Sequence, residues 1–315
     1  MKVKSIILTS SVYKPAVGGI ESSLHAIGQA LKDFGITPVV VCGDRIPTSR
    51  IRLPERQILD GIDVRRYRNA GRWVNFAGLS LVAPIVPARR LFKRLYKMMP
   101  VDLVIARQPA VGLAAAASMP GVPLVYVVPS LSKRLHRKDL LGPWSGGVRG
   151  QSLRLVNQLW LMPQNHRLQG SLIRRADVLV VFSNNMRNQL IDAYPPEQHK
   201  IQVISPGVAA DRFCPATDQG KLRADLGLSN EYVYGISVGR LISAKGYDLA
   251  IQSIKNLKEF DNLRWLLVGD GPERERLANK AEALGVASKV IFLGERPNPE
   301  EYYQAADFYL MSSIY

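Results

Sequence analysis

Cysteine is scarce in this 315-residue sequence, and the few metal-ligating side chains form no pattern. Cys42 and Cys214 are far apart and stand in no metal-ligand spacing, so neither a disulfide framework nor a zinc site is predicted. The histidines are dispersed without an i, i+4 pair, and the sequence has no Asp-x-Asp. The four histidines are His25, His136, His166 and His199. We therefore predict that the protein holds no metal ion.

Long apolar runs are also lacking. The run at residues 5–8 is too short for a signal peptide, so nothing directs export and a cytoplasmic location is predicted. The uncharged stretch of residues 110–131 approaches membrane-spanning length, but three prolines and a glycine interrupt it. This stretch predicts a helix, a turn and a strand rather than a transmembrane helix.

Acidic residues are scarce in the first two thirds of the chain only. Residues 1–200 hold 29 Lys and Arg against 11 Asp and Glu, whereas residues 201–315 hold 13 against 15. Such one-sided charge indicates an anionic partner, which could be a membrane surface, an anionic acceptor or a nucleic acid. The nucleic-acid alternative lacks the expected aromatic residues interleaved with basic ones.

Short Val/Ile/Leu-rich runs alternate with helix-length amphipathic stretches, which is typical of βαβ units and parallel sheets. The predicted fold class is therefore α/β, with two Rossmann-like doubly wound domains. Residues 1–210 would form the first domain, which is basic, and residues 211–315 the second. The second domain is predicted to be incomplete, because only four strands are visible where five or six are usual. Predicted strands are Ser5–Thr9, Thr37–Cys42, Asp63–Tyr67, Asp102–Ala106, Leu124–Val128, Val178–Phe182, Ile201–Ile204, Tyr232–Val238, Leu263–Val268, Lys289–Leu293 and Phe308–Met311.

Three loops that follow predicted strands carry glycine or fixed cations. Gly18 and Gly19 precede a helix whose N-terminus is a ready anion site, although a plain turn is the better explanation of two glycines taken alone. Gly239-Arg240 and Lys245 follow a strand of the second domain, where two cations suit a diphosphate. The third loop is Gly269-Asp270-Gly271-Pro272, in which Arg274 replaces the third glycine of a nicotinamide-binding motif.

Together these motifs resemble the family 4 retaining glycosyltransferases of the GT-B fold. The resemblance also includes Ile201–Val208, Phe292-Leu293-Gly294 and Ala306-Asp307, all in the family's order. It implies that Arg240 and Lys245 act at the catalytic centre on the donor diphosphate, without a metal or other cofactor. It further implies donor binding at Gly18, Gly19, Gly239, Gly269 and Gly271. By the same resemblance, residues 1–210 would form an acceptor-binding domain and residues 211–315 a nucleotide-sugar-binding domain.

The implied reaction moves a sugar from a nucleotide-diphosphate donor to a lipid-linked, phosphate-bearing or saccharide acceptor in cell-envelope glycan synthesis. The two glutamates that such enzymes carry after the Ala-Asp strand would begin where this sequence ends, so the chain alone is expected to be inactive. The alternatives are a sugar-nucleotide epimerase on the same fold, a nucleic-acid-binding protein, or a non-catalytic fragment.

The first domain departs from the family at two histidines, which Arg107-Gln108 and Pro129-Ser130 replace. An arginine suits an anionic acceptor, and it suits a structural salt bridge equally well. We assign acceptor binding to Glu21, Arg107 and Ser130.

Residues 89–99 form the clearest amphipathic stretch, with basic residues on one arc of the helical wheel and apolar residues on the other. Such a helix suits a membrane interface on the inner face of the cell membrane, with more basic residues at 133–138. The alternative is a helix whose apolar face covers a sheet and whose basic face is exposed to solvent. The predicted interface residues are Arg89, Arg90, Phe92, Lys93, Arg94, Tyr96 and Lys97.

Overall fold

The computed structural model describes residues 3–16, 18–45, 51–69, 83–131, 162–257 and 259–314. The chain divides into two compact units, Met1–Pro206 (unit 1) and Gly207–Tyr315 (unit 2). The basic residues predicted to support the membrane interface at 133–138 lie outside the described residues.

Unit 1 is built on an eight-stranded sheet in the order β3-β4-β2-β1-β5-β6-β7-β8, and all its neighbouring strands are parallel except the pair β3 and β4. Its strands are β1 (Ser5–Thr9), β2 (Thr37–Gly43), β3 (Arg56–Leu59), β4 (Ile62–Tyr67), β5 (Leu103–Ala106), β6 (Leu124–Val127), β7 (Val178–Val181) and β8 (Ile201–Val203). Its helices are α1 (Gly19–Asp33), α2 (Ile85–Met98), α3 (Pro109–Ala116), α4 (Met162–Arg175) and α5 (Asn184–Ala193), with a 3₁₀ helix at Pro195–Lys200.

The central strands of this sheet are apolar on both faces because helices cover both. In β1, Ile7 packs into one core cluster with α2 and α3, whereas Ile6 and Leu8 pack into the opposite cluster with α1. Successive side chains of a strand point to opposite faces. When helices cover both faces, every side chain of the strand is buried, and apolar residues are favoured throughout.

Unit 2 contains a four-stranded parallel sheet in the order β11-β10-β9-β12. Its strands are β9 (Val233–Val238), β10 (Leu263–Val268), β11 (Val290–Gly294) and β12 (Phe308–Tyr309). Its helices are α6 (Gln219–Asp225), α7 (Tyr247–Asn256), α8 (Arg274–Ala283) and α9 (Pro299–Ala305), with 3₁₀ turns at Ser243–Lys245 and Ala287–Lys289.

Strand β3 is absent from the sequence-based prediction. It pairs antiparallel with β4 across a turn at Asp60 and Gly61, whose φ angles are 51° and 75°. Positive φ at two successive turn residues is the geometry that an Asp-Gly pair favours in a tight hairpin. The Asp-Gly pair was therefore the signal that could have revealed this polar edge strand.

Helix α2 corrects part of the predicted membrane interface. Phe92 is fully buried and packs in the core beneath the helix together with Ala88 and Leu95. It covers the sheet and cannot reach a lipid surface. Arg89, Arg90, Lys93, Arg94, Tyr96 and Lys97 are exposed, as the helical wheel predicts for the basic residues.

The stretch of residues 110–131 forms most of α3, a turn and β6, as the sequence predicts. Within the described part of the chain, no helix combines the length and the apolar character that crossing a membrane requires.

Candidate functional site

The predicted site residues of both units follow the carboxyl ends of parallel strands, which is where open α/β sheets bind ligands. In unit 1, Gly18 and Gly19 lie between β1 and α1, while Arg107 follows β5 directly. In unit 2, Arg240 lies just beyond β9, and Gly269 directly follows β10.

Arg240 and Lys245 lie in the loop between β9 and α7. The Arg240 side chain is exposed and that of Lys245 is half-buried, and neither makes an ion pair or side-chain hydrogen bond with another described residue. Leu241, between them, is fully buried and anchors the loop in the core of unit 2. The loop therefore presents two cations whose charges no described carboxylate neutralises.

Gly239 leaves space beside the Tyr247 hydroxyl, close to the Lys245 side chain. Its φ is 157°, and a Cβ placed on it would lie 3.9 Å from Lys245 Nζ and 3.0 Å from the Tyr247 hydroxyl. Burial raises the pKa of Tyr247 to about 12, so its hydroxyl keeps its proton at neutral pH. An ammonium and a neutral hydroxyl thus face the same small space beside a bare backbone, an arrangement suited to an oxyanion.

Gly269 and Gly271 serve the contact between two loops. Gly269 has φ 133°, and a Cβ there would come closer than 3.0 Å to the Gly239 carbonyl oxygen. A Cβ on Gly271 would meet the Leu241 backbone just as closely. The Leu241 amide donates to the Asp270 carbonyl at 2.9 Å, and the Glu273 amide donates to the Leu241 carbonyl at 3.1 Å. The contact between the loops therefore explains why both positions lack a side chain. Binding of the sugar donor at Gly269 and Gly271 stays a prediction.

The segment after β12 holds the cation-bearing loop from its other side. The Ser312 hydroxyl donates to the Lys245 carbonyl at 2.9 Å, and the Ile314 amide donates to the Ala244 carbonyl at 3.0 Å. Gly246 allows this approach, because a Cβ on it would collide with the Ser312 carbonyl. Ser312 and Tyr247 were missed by sequence reasoning, since neither contact can be deduced from spacing.

In unit 1, a carboxylate already occupies the N-terminus of α1. The Glu21 side chain folds back so closely that a Cβ on Gly18 would touch its Oε2. Gly19 is exposed, and a Cβ there would meet nothing within 4 Å. A carboxylate in the first turn stabilises the helix dipole. The predicted anion site at Gly18 and Gly19 would therefore share the helix terminus with Glu21.

Arg107 is buried, with only 3% of its surface exposed. Its guanidinium lies over the Phe182 ring at 5.2 Å, while Nε and Nη1 are enclosed and make no hydrogen bond. Burial lowers the pKa of Arg107, and the nearby Tyr126 and Glu21 oppose that shift. The structural alternative, a salt bridge, is not present: none of the described carboxylates lies within 4.0 Å of this side chain. Sequence reasoning missed Phe182.

Ser130 is exposed beyond β6, and its carbonyl accepts a hydrogen bond of 2.7 Å from Gln169 Nε2. The same amide nitrogen donates to the Tyr126 hydroxyl at 3.2 Å. No hydrogen bond joins the Ser130 hydroxyl to another described residue, and its acceptor role stays a prediction. No group of three or more His, Cys, Asp or Glu within the described ranges could hold a metal ion.

Comparison with known families covers nearly the whole chain. The model of Glycosyltransferase Family 4 matches residues 17–212, and the model of Glycosyl transferases group 1 matches residues 218–315.

Two curated relatives act on different acceptors according to their names. A GDP-mannose-dependent alpha-(1-6)-phosphatidylinositol monomannoside mannosyltransferase of Mycolicibacterium smegmatis is 26% identical over 97% of this chain and 72% of its own length. A D-inositol 3-phosphate glycosyltransferase of Corynebacterium jeikeium is 32% identical over 48% of this chain and 39% of its own length. The matches therefore span from about two fifths to about three quarters of these relatives.

Among solved structures, the sucrose-phosphate synthase of Thermosynechococcus elongatus matches with a TM-score of 0.74. The two share 18% sequence identity, and the match covers 99% of this chain and 76% of the synthase. This likeness confirms the predicted GT-B fold class, with its two Rossmann-like α/β parts.

Proposed function

The chain belongs to glycosyltransferase family 4, and from that premise we propose that it transfers a sugar from a nucleotide-diphosphate donor to an acceptor bound by unit 1. Unit 2 would hold the donor diphosphate through Arg240 and Lys245. The name of the mannosyltransferase relative indicates GDP-mannose as one donor to examine first.

The observation that carries this proposal is the pair of uncompensated cations on the β9–α7 loop. A buried leucine, a loop-to-loop hydrogen bond and the Ser312 contact all fix this loop, so its two cations are held at a ligand-binding edge without a protein partner. A protein gains no stability from holding unpaired like charges close together. A bound anion of at least two charges would explain the arrangement.

These cations fit the chemistry of the reaction. As the glycosidic bond breaks, the nucleoside diphosphate leaves with more negative charge than it carried in the donor. Fixed cations beside it therefore stabilise the transition state more than the ground state, and they need no reorganisation when the bond breaks. The neutral Tyr247 hydroxyl could donate a further hydrogen bond to the departing phosphate oxygens.

We predict that the chain discriminates diphosphates from monophosphates. Calorimetric titration should give about tenfold or tighter binding of GDP than of GMP, because the second phosphate reaches the two cations. UDP and UMP provide the same comparison with another base. Equal affinities for diphosphate and monophosphate in both pairs would contradict the proposed donor site.

We also propose that the basic face of α2 rests on an anionic membrane surface. Arg89, Arg90, Lys93, Arg94 and Lys97 are exposed and make no side-chain contact with a described polar group. Val86 and Met98, at the two ends of the helix, are 57% and 65% exposed. A row of free cations bordered by exposed apolar side chains suits a layer of acidic headgroups.

Reversing two of these charges tests the membrane proposal. In Arg90→Glu/Arg94→Glu, binding to vesicles with phosphatidylserine should fall by at least about 30-fold. Each basic residue near an anionic surface contributes about 1 kcal/mol, and the new carboxylates add repulsion. The matched control is Lys221→Glu/Lys255→Glu, which changes the net charge equally on exposed positions of unit 2. An equal loss of vesicle binding in both variants would refute a specific role for α2.

A further inference from the structure

The described residues contain three arginines that are almost entirely buried, namely Arg66, Arg107 and Arg223. Arg66 donates to the carbonyls of Pro54 and Lys14. Arg223 donates from Nε to the Ala305 carbonyl and from Nη2 to Asp307, both at 2.8 Å. Among these three side chains, Arg107 alone donates no hydrogen bond.

A buried cation without a partner is costly, because desolvation is not repaid by a hydrogen bond or an opposite charge. The Phe182 ring offsets part of the cost, since a ring face attracts a cation, and it also fixes the plane of the guanidinium. The ring leaves the N–H groups in that plane unused. Arg107 is thus oriented with its donors unpaired, which is the state in which a guanidinium can bind a planar pair of oxygens.

The surrounding strands place a second residue with an unpaired polar group at the same edge of the sheet as Arg107. The register of the sheet pairs Thr9 of β1 with Ala106 of β5, so Ser10 and Arg107 leave adjacent strands at the same level. The Ser10 hydroxyl is fully buried and also lacks a hydrogen-bond partner. Unsatisfied buried polar groups are rare in folded proteins, and two of them that follow adjacent strands at a ligand-binding edge indicate a site for a ligand.

We infer that Arg107 binds a phosphate group of the acceptor and makes the enzyme selective for a phosphate ester of an alcohol over the neutral alcohol. The inference rests on the proposed function, because it concerns the acceptor of that same reaction. Phosphate is favoured over a carboxylate because it offers more acceptor oxygens, which can serve both the guanidinium fork and the Ser10 hydroxyl. The names of both relatives include a phosphorylated inositol, which supports the same class of acceptor.

The phosphate could be carried by a soluble polyol or by a lipid headgroup, and both present anionic phosphate oxygens to Arg107. The soluble arm of the test is calorimetric titration with D-inositol 3-phosphate and with neutral myo-inositol. The lipid arm is cosedimentation with phosphatidylinositol vesicles and with phosphatidylserine vesicles of equal charge. Binding through Arg107 in either arm supports the inference and identifies the source.

The diagnostic variant is Arg107→Met, which keeps an unbranched apolar stem and removes the charge and the donors. We expect at least tenfold weaker binding of inositol phosphate, or of phosphatidylinositol vesicles, with no loss of thermal stability. The Arg107 side chain donates no hydrogen bond in the wild type, and removing its desolvation cost offsets the loss of the contact with Phe182. An unchanged or raised melting temperature of Arg107→Met would distinguish a binding residue from a structural one.

Arg223→Met is the matched control in unit 2. Arg223 is 7% exposed and lies over the Tyr234 ring at 5.1 Å, so its setting resembles that of Arg107 except for its completed hydrogen bonds. This variant should lower the melting temperature, because Asp307 and the Ala305 carbonyl lose their donor. If Arg107→Met is destabilised to the same degree, Arg107 is structural and the inference is overturned.

Unchanged affinity of Arg107→Met in both arms, or equal binding of inositol and inositol phosphate by the wild type, would also overturn the inference. GDP binding in parallel separates this failure from failure of the proposed function. Arg107 belongs to unit 1 and the predicted diphosphate cations to unit 2, so GDP affinity should be equal in the wild type and Arg107→Met. Absent GDP binding with intact Arg107-dependent phosphate binding would reject the donor site alone.

Discussion

Gly269→Ala is expected to lower the free energy of unfolding of unit 2 by about 3 kcal/mol or more. Two costs add at this position. The φ angle of 133° is one that non-glycine residues rarely adopt, and a Cβ would collide with the Gly239 carbonyl oxygen. Neither partner can move away, because Gly239 N donates to Val268 O at 2.9 Å and Gly269 N to Gly294 O at 2.7 Å. Hydrogen exchange of the β9 and β10 amides would measure the loss.

Gly285→Ala is the control that separates the two costs. Gly285 has φ 69°, but a Cβ on it would meet nothing within 4 Å. Only the conformational cost remains, and the expected loss is roughly 1 kcal/mol. If Gly269→Ala and Gly285→Ala lower the free energy of unfolding equally, the clash between a Cβ at residue 269 and the Gly239 carbonyl costs nothing. The prediction for Gly269 would then be wrong.

The strands were predictable because the sheet is covered on both faces. Ser5–Thr9 and Leu263–Val268 match β1 and β10 at both ends, and the other predicted strands overlap the observed ones with ends that differ by at most two residues. Buried parallel strands leave continuous apolar runs, which stand out from the helices around them. The strand that was missed, β3, is an edge strand with alternating exposure and no such run.

The environment of each site residue was not predictable in the same way. Sequence patterns placed Arg107 at the end of a strand, but they could not show that its neighbours would bury it without a hydrogen-bond partner. They placed Phe92 on the apolar arc of α2, where a membrane and a protein core demand the same pattern. Burial and partner choice depend on residues distant in sequence, such as Phe182 beneath Arg107, and only the packed structure brings these together.

The cation pair of unit 2 is expected to control the rate of sugar transfer more than the binding of the donor. Lys245→Ala and Arg240→Ala should each reduce the initial rate of nucleoside diphosphate release by about 100- to 1,000-fold, the cost of removing one preorganised group that stabilises developing charge. Donor affinity should fall less, because the donor carries less negative charge on its diphosphate than the departing product does. The comparison requires steady-state rates and titration with the same nucleotide sugar, in a form of the protein with measurable turnover.

Lys255→Ala is the matched control for these variants, since Lys255 is an exposed cation in the last turn of α7, the helix that begins just after Lys245. It should leave the rate unchanged. The double variant Arg240→Ala/Lys245→Ala should lose less than the product of the two single losses, because both cations neutralise one diphosphate and their effects are coupled. Near-normal rates in both single variants would remove Arg240 and Lys245 from the catalytic site. Strictly multiplicative losses would instead show that the two cations act on separate groups of the donor.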